Sequence, residues 1–274
     1  PLGNKAGRKI LDTWMDLYKK AIVALVPHIK AANPAKPGDD PVTYDKAINA
    51  RAFDIARCLL PAGTTTFLSW HTNLRQAADH LKRLRHHPLA EIRMLAEQST
   101  ASLAGKYANS FSHKKYESEE EYMSNLTNLE YSNVNIPANR RGKLTTKVSL
   151  NKEALTYWKP LIKNRPAKAE LPFETEMIGH FDYEFLLDFG SFRDIQRHRS
   201  GTMYMPILTT KYGFHPWYLS QFPQDILKEI KQTCASTEKL IRDLACDEAT
   251  RQYYIPIGYQ VACKMRFPFH AAVY

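Results

Sequence analysis

One short pattern occurs twice in this chain and constrains the fold more than any other feature. Ile55-Ala56-Arg57-Cys58-Leu59-Leu60-Pro61-Ala62-Gly63 is echoed by Ala249-Thr250-Arg251-Gln252-Tyr253-Tyr254-Ile255-Pro256-Ile257-Gly258. Both stretches follow a helical pattern, and both end in an apolar residue, proline, one further residue and glycine. The arginine-to-proline spacing differs by one residue. Proline stops a helix and glycine permits a close turn, so the same punctuation in two places predicts a duplicated unit. On this reading the chain starts inside the first copy and leaves the second near its end. Residues 1–105 are the C-terminal part of one copy, 106–170 a linker or excursion, and 171–274 the second, diverged copy. The copies are complementary: Asn73 and Arg75 follow the first pattern where Pro268 and His270 follow the second.

Hydrophobic periodicity fills in the elements. Ile10, Leu11, Trp14, Leu17, Tyr18, Ile22 and Leu25 recur at helical spacing over residues 5–30. Residues 31–42 are broken by Pro and Gly and read as a loop; residues 44–60 read as a second helix ending at Pro61. Residues 64–71, rich in Thr, Phe and Trp, predict a strand. Residues 73–86 and 88–104 return to helical character. Residues 181–189 predict a strand, 190–199 a helix start and 223–249 a helix. Residues 105–150 are polar with little period, which predicts a peripheral, poorly ordered segment between about 110 and 145. Within it, Glu117-Ser118-Glu119-Glu120-Glu121 reads as a solvated charge run. The fold class expected is α+β, with helices packed on a mainly antiparallel sheet. Pro1-Leu2-Gly3 resembles the scar left by tag removal and carries no structural weight.

With 44% apolar and 24% charged residues the chain has the balance of a globular protein rather than a disordered one. No apolar run is long enough for a membrane span, and no secretory pattern is present. A formal net charge of +10 favours anionic partners. Cys58, Cys234, Cys246 and Cys263 form no C-x-x-C pair and fit no zinc spacing, so no metal site is expected. Scattered thiols of this kind predict reduced cysteines and a cytoplasmic protein. Cys58, in an apolar stretch, is a core residue on this reading.

The arginines cluster in two signatures. The first runs from Arg57 through Phe67-Leu68-Ser69-Trp70-His71-Thr72-Asn73-Leu74-Arg75 to Leu84-Arg85; the second is Phe192-Arg193-Asp194-Ile195-Gln196-Arg197-His198-Arg199. Guanidinium forks match phosphate oxygens and stack on flat rings, which suits phosphorylated planar ligands. Each residue has a plainer structural reading as well. Arg57 fits a helix C-terminal cation, Asn73 an N-cap, His80 an ordinary helix residue, and the basic triplet a solvated helix end. Trp70, Trp158 and Trp217 read as packing residues, and His86 and His87 lack ligand spacing.

These signatures resemble the flavin-dependent thymidylate synthase family, over residues 44–100, 176–200 and more faintly 245–262. The resemblance rests on Arg-Cys-Leu-Leu-Pro, Asn73-Leu74-Arg75, His80 with Leu84-Arg85, Ala90-Glu91-Ile92-Arg93 and the Arg197-His198-Arg199 triplet. It implies FAD as cofactor, held by Asn73, Arg75, His80, Arg197, His198 and Arg199. It implies dUMP as substrate, its phosphate on Arg57 and Arg85, with methylenetetrahydrofolate and NADPH as co-substrates and methyl transfer to the uracil ring as the reaction. No catalytic residue is assigned. The family builds its sites from several subunits, which implies a homo-oligomer or completion by further parts of the same protein. The chain departs from the family after Arg199, where Gly201-Thr202-Met203-Tyr204 replaces a Glu-x-Ser-x-Arg-Tyr element that holds dUMP. That departure keeps a second reading open: a paralogue that binds flavin or a pyrimidine nucleotide as a scaffold, or that acts on another pyrimidine. A basic nucleic-acid-binding protein rests on charge alone.

Overall fold

A computed structural model describes residues 5–111, 114, 116–131, 135–137 and 140–273. Pro1-Leu2-Gly3 and parts of the 110–145 segment lie outside the described residues. The chain combines helices with one antiparallel sheet, in agreement with the α+β expectation. Helix α1 (Lys5–Ala32) buries Ile10, Trp14, Leu17, Ala21, Leu25 and Ile29, an apolar stripe at spacings of three and four residues. That stripe packs on α2 (Pro41–Ala56) and α10 (Gln224–Arg242). Asp40 caps α2 by accepting from Thr43 N at 2.8 Å, with Pro41 in the first helical position where no amide is needed.

The sheet runs β1 (Thr145–Leu150), β2 (Gly179–Asp188), β4 (Gln260–Pro268) and β3 (Thr202–Tyr204), all neighbours antiparallel. Its apolar face carries Tyr183, Phe185 and Leu187 of β2 with Val261, Cys263 and Met265 of β4, all packed against the helical core. A smaller cluster of Leu171, Ile178 and Phe269 closes one end, with Trp158 of α7 (Lys152–Lys163) packed on it.

The two copies of the repeated pattern touch each other. After α2, residues Arg57–Leu59 form a single 3₁₀ turn; after α11 (Glu248–Arg251), residues Gln252–Tyr254 do the same. Leu60 and Ile255 then turn extended with the same ψ of 128°. Pro61 faces Pro256 in an antiparallel bridge. Ala62 N donates to Ile255 O and Ile257 N to Leu60 O, both at 2.9 Å. Gly63 N donates to Tyr253 O at 3.0 Å and Gly258 N to Cys58 O at 2.8 Å. Exchanging 58–63 for 253–258 maps each bond onto another. The exchange also resolves the one-residue spacing difference, because it sets Gln252, not Arg251, in the place of Arg57. Gln252 there accepts from Leu208 N at 2.9 Å.

Four sequence expectations need correction. Residues 64–71 form no strand: no described strand offers them an edge, and Phe67 and Leu68 lie fully in solvent. The 105–150 stretch is not a plain linker, since it contains α6 (Glu117–Tyr131) and edge strand β1. The Glu117–Glu121 run is not merely solvated. Its carboxylates pair with α3 (Leu74–Leu84) and the residues after it: Glu119 with Lys82, and Glu120 with Arg85 at 2.9 Å. Glu130, further along α6, pairs with Arg83. The helix expected over 190–199 is α8 (Phe189–Ile195), which ends before the triplet. The expected helices at 73–86 and 88–104 are α3 and α4 (Ala90–Lys106), and α10 ends at Arg242 rather than 249.

At the crossing of the two repeats no side chain fits. A Cβ on Gly258 would lie 2.8 Å from Cys58 O and 2.4 Å from the Phe214 ring, and one on Gly63 would lie 2.8 Å from Tyr253 O. Backbone cannot give way here without losing the reciprocal bonds. Gly258→Ala should therefore destabilise the chain by about 1–3 kcal/mol, the cost of overpacking a close contact. Thermal unfolding measures it, and an unchanged melting temperature would show that the crossing is soft.

Candidate functional site

Asn73 opens α3 as its N-cap, Oδ1 accepting from Gln76 N at 2.9 Å. Its neighbour Arg75 points into a cavity of about 570 Å³ formed by α3, α4, α5 (Ala108–Phe111) and α6. Arg75, Lys82, Arg85 and Lys114 give this cavity cations from several sides, and Asp79, Glu119 and Glu120 answer them. Arg85 is held there on Glu120 with its side chain only 13% exposed, and its Nε is buried without a hydrogen-bond partner. Such an orphaned donor next to an open volume is where a ligand oxygen would relieve a desolvation cost. The cavity thus fits a phosphate-bearing ligand.

Two other residues of the first signature stand outside it. His80 is exposed and sets its ring edge-on against Trp70 at 5.9 Å. Trp70 and Trp217 are each about half exposed and pack through edge-on ring contacts, Trp217 on Tyr218 at 5.0 Å; Trp158 packs on the smaller apolar cluster. Arg57 sits in the 3₁₀ turn after α2 and pairs with Asp54 at 3.2 Å. Glu91, in the closing Ala-Glu-Ile-Arg, accepts from Tyr253 Oη at 2.6 Å, which ties α4 to the second repeat.

The triplet is placed by α8. Asp188, buried at the end of β2, caps α8 by accepting from Ser191 N at 2.8 Å. Tyr218 Oη reaches the same carboxylate at 3.4 Å; burial, then the Asp188 charge, pushes its hydroxyl up to about 12. Arg197, His198 and Arg199 follow the last turn in solvent-exposed turn conformation. They line a cavity of about 320 Å³ with Glu170, Leu171, Ser200 and His270. Because they lie past the helix, the 100° separation of successive helical residues does not divide them. His270, set by the repeat against Arg75, is brought beside the triplet, its Nδ1 buried without a partner. The pattern alignment held that signal; Glu170 had none.

Arg75 and Arg85 therefore share one cavity, and Arg197, His198 and Arg199 share another. Burial raises three of the thiols: Cys234 up to about 11, Cys263 up to about 12, and Cys58 well above its ordinary value. Among the described residues, the four cysteines form no disulfide, no cluster of His, Cys, Asp or Glu is arranged for a metal ion, and no helix is long and apolar enough to cross a membrane.

Residues 9–107 match the family model described as thymidylate synthase complementing protein, a stretch that holds Arg57, Asn73, Arg75, His80 and Arg85. A UPF0159 protein of Chlamydia muridarum is 25% identical over an alignment covering 94% of this chain and 56% of its own length. The UPF0159 protein Ta1429 of Thermoplasma acidophilum is 25% identical, with 80% and 50% covered. A UPF0159 protein of Chlamydia pneumoniae is 26% identical, with 94% and 56% covered. The chain spans about half the length of these curated relatives. No solved structure matches. The α3 arginines thus lie inside the stretch that is similar to the thymidylate synthase complementing protein family.

Proposed function

We propose that this chain is part of a thymidylate synthase-like enzyme that binds FAD and a pyrimidine nucleotide and transfers a methyl group to dUMP, with methylenetetrahydrofolate and NADPH as co-substrates. The observation that carries the reading is the α3 cavity, where Arg75 and Arg85 meet inside the stretch that matches the family model. When bound, flavin supplies the redox and one-carbon chemistry. The residues of this chain bind and orient. Arg75 offers its fork to a flavin phosphate, Arg85 and Arg57 theirs to the nucleotide phosphate, and cations near the uracil ring stabilise negative charge that develops on it.

Arg75 and the triplet line separate cavities, so the reading joins them across an interface between copies of the protein, or with parts of a longer protein. The reciprocal bonding of the two Leu/Ile-Pro-x-Gly turns supports a duplicated unit, in which one chain supplies both halves of what the family gathers from several subunits.

One observation favours the second reading, in which ligand is bound without synthesis. Strand β3 occupies the place of the Glu-x-Ser-x-Arg-Tyr element and offers Thr202 and Tyr204 instead of its carboxylate and arginine. A lost arginine–phosphate contact removes about 1.5–3 kcal/mol, or one to two decades of affinity. Assayed dTMP formation separates the two readings.

Arg75→Ala and Arg199→Ala should each lower flavin occupancy, read from absorbance of the purified protein, whereas Arg57→Ala should mainly weaken dUMP. A colourless protein that shows no thermal shift with saturating FAD would remove the flavin assignment. Glu120 already occupies Arg85, so a nucleotide phosphate must displace a carboxylate. Glu120→Gln should raise dUMP affinity several-fold while lowering stability by about 1 kcal/mol, the worth of a partly exposed ion pair. Unchanged dUMP affinity in a calorimetric titration would mean that Arg85 is a structural cation.

A further inference from the structure

The sheet has a second, charged face that none of the residues assigned above uses. Antiparallel register sets whole rows side by side: Lys147, Asp182, Arg266 and Thr202 form one, and Thr145, Glu184, Lys264 and Tyr204 the next. Rows two residues apart on every strand point to the same side, so these two rows form one continuous surface. They line a cavity of about 580 Å³, within the range that holds small ligands, and Arg140 covers it from the turn before β1.

The charges on this surface do not cancel. Asp182 takes Arg266 in a two-pronged pair, Nε to Oδ1 at 2.6 Å and Nη2 to Oδ2 at 3.0 Å. Glu184 faces Arg140 at 3.7 Å. Both carboxylates are thereby engaged. Lys147 and Lys264 are exposed; the Lys147 charge acts on its cross-strand neighbour Asp182 from beyond ion-pair distance, and Lys264 makes no ion pair among the described residues. Beside Lys264 in the same row stands Tyr204, its ring 45% exposed. Two exposed ammonium groups and an open aromatic ring on one face match a ligand that carries both a phosphate and a flat ring. The cavity also has a continuation. A smaller one, of about 250 Å³, shares Thr202 and Arg266 with it and shares Ser200 with the cavity of the triplet.

We propose that this sheet face is a binding site for a nucleoside monophosphate, its phosphate on Lys147 and Lys264 and its base against Tyr204. Arg266 and Arg140, fixed by Asp182 and Glu184, form the rigid walls. None of these residues is among those carried over by the family resemblance. The site stands on the register and charge of the sheet alone, so it does not depend on the flavin reading.

The test is lysine footprinting of the full chain by mass spectrometry, with uridine 5′-monophosphate as probe and uridine and inorganic phosphate as comparisons. The monophosphate should protect Lys147 and Lys264 from acylation while leaving the exposed Lys228 of α10 reactive. Inorganic phosphate should protect both lysines only at higher concentration, and uridine neither. Lys147→Ala and Lys264→Ala should each weaken binding about tenfold. Tyr204→Ala should weaken the monophosphate but not inorganic phosphate. Arg85→Ala should leave the protection of both lysines unchanged. Lys147, Lys264 and Tyr204 are exposed, Arg85 is largely buried, and matching melting temperatures verify that each variant folds. Absent or uniform protection, or full affinity in the double lysine variant, would overturn the site. Equal protection by phosphate and monophosphate would overturn the base contact. FAD titration of the same lysine variants separates the readings: retained flavin with lost monophosphate supports this site, and lost flavin in Arg75→Ala with retained monophosphate leaves it standing.

Discussion

The reciprocal hydrogen bonds between residues 58–63 and 253–258 position the basic triplet and the inner strand β4. Two prolines face each other at the centre and donate nothing, so the amides on either side must find partners across the crossing. A slip by one residue would aim a donor at a proline and bury an unpaired carbonyl. The register is therefore fixed by chemistry as well as by packing. The next residues pass the constraint on: Ile257 O and Tyr259 O accept from Gly190 N and Phe189 N, and Gly258 O accepts from His215 N. The first turn of α8 is thus pinned to the crossing. The triplet, one turn further, inherits its place from it, while β4 leaves the same point to become an inner strand of the sheet.

The sequence was legible where one residue face decides the structure. Helices α1 and α10 bury stripes and α3 begins at a side-chain cap, and both signals are local. Strand β2 was legible from its aromatic run. The misread segments depend on distant neighbours. Residues 64–71 have strand composition, but a strand exists only where another strand takes its hydrogen bonds. Helix α6 has little amphipathic pattern; it is fastened by Glu120 to Arg85, 35 residues earlier in the chain. Nothing local marks that pair. β4 escaped notice because Lys264 and Arg266 interrupt its apolar run, although that alternation is what a sheet with one charged face requires.

Of the candidate site, the arginines of the first signature were legible and their company was not. Arg75 and Arg85 were picked out by type and spacing, and they do share a cavity. That Glu119 and Glu120 would line it follows from how α6 folds back. The repeat misled by one residue at Arg251, because matching arginine to arginine ignores the helical turn that carries them. Aligned by their 3₁₀ turns, the copies set Gln252 against Arg57, and the glutamine spends its amide on Leu208 and Ala249. A position that holds an arginine paired with Asp54 in the first pattern holds a structural glutamine clamp in the second.

The α3 cavity and the sheet cavity use carboxylates in the same way. Under α6, Glu120 holds Arg85 and Glu119 holds Lys82; on the sheet, Asp182 holds Arg266 and Glu184 faces Arg140. A guanidinium fork gains most from a fixed bidentate partner, and once fixed it becomes part of a wall with known charge and shape. A lysine gains less from such a partner, since its ammonium is a strongly hydrated point charge on a flexible stem. On the sheet this divides the labour: arginines are immobilised by acidic neighbours, and Lys147 and Lys264 keep their charge for whatever enters. Under α6 even a lysine is taken, so that cavity opens to an anion only at the expense of an internal pair. The same net charge of +10 thus produces one surface ready for an anion and one that an anion must compete for. The difference lies in where the chain places its acids.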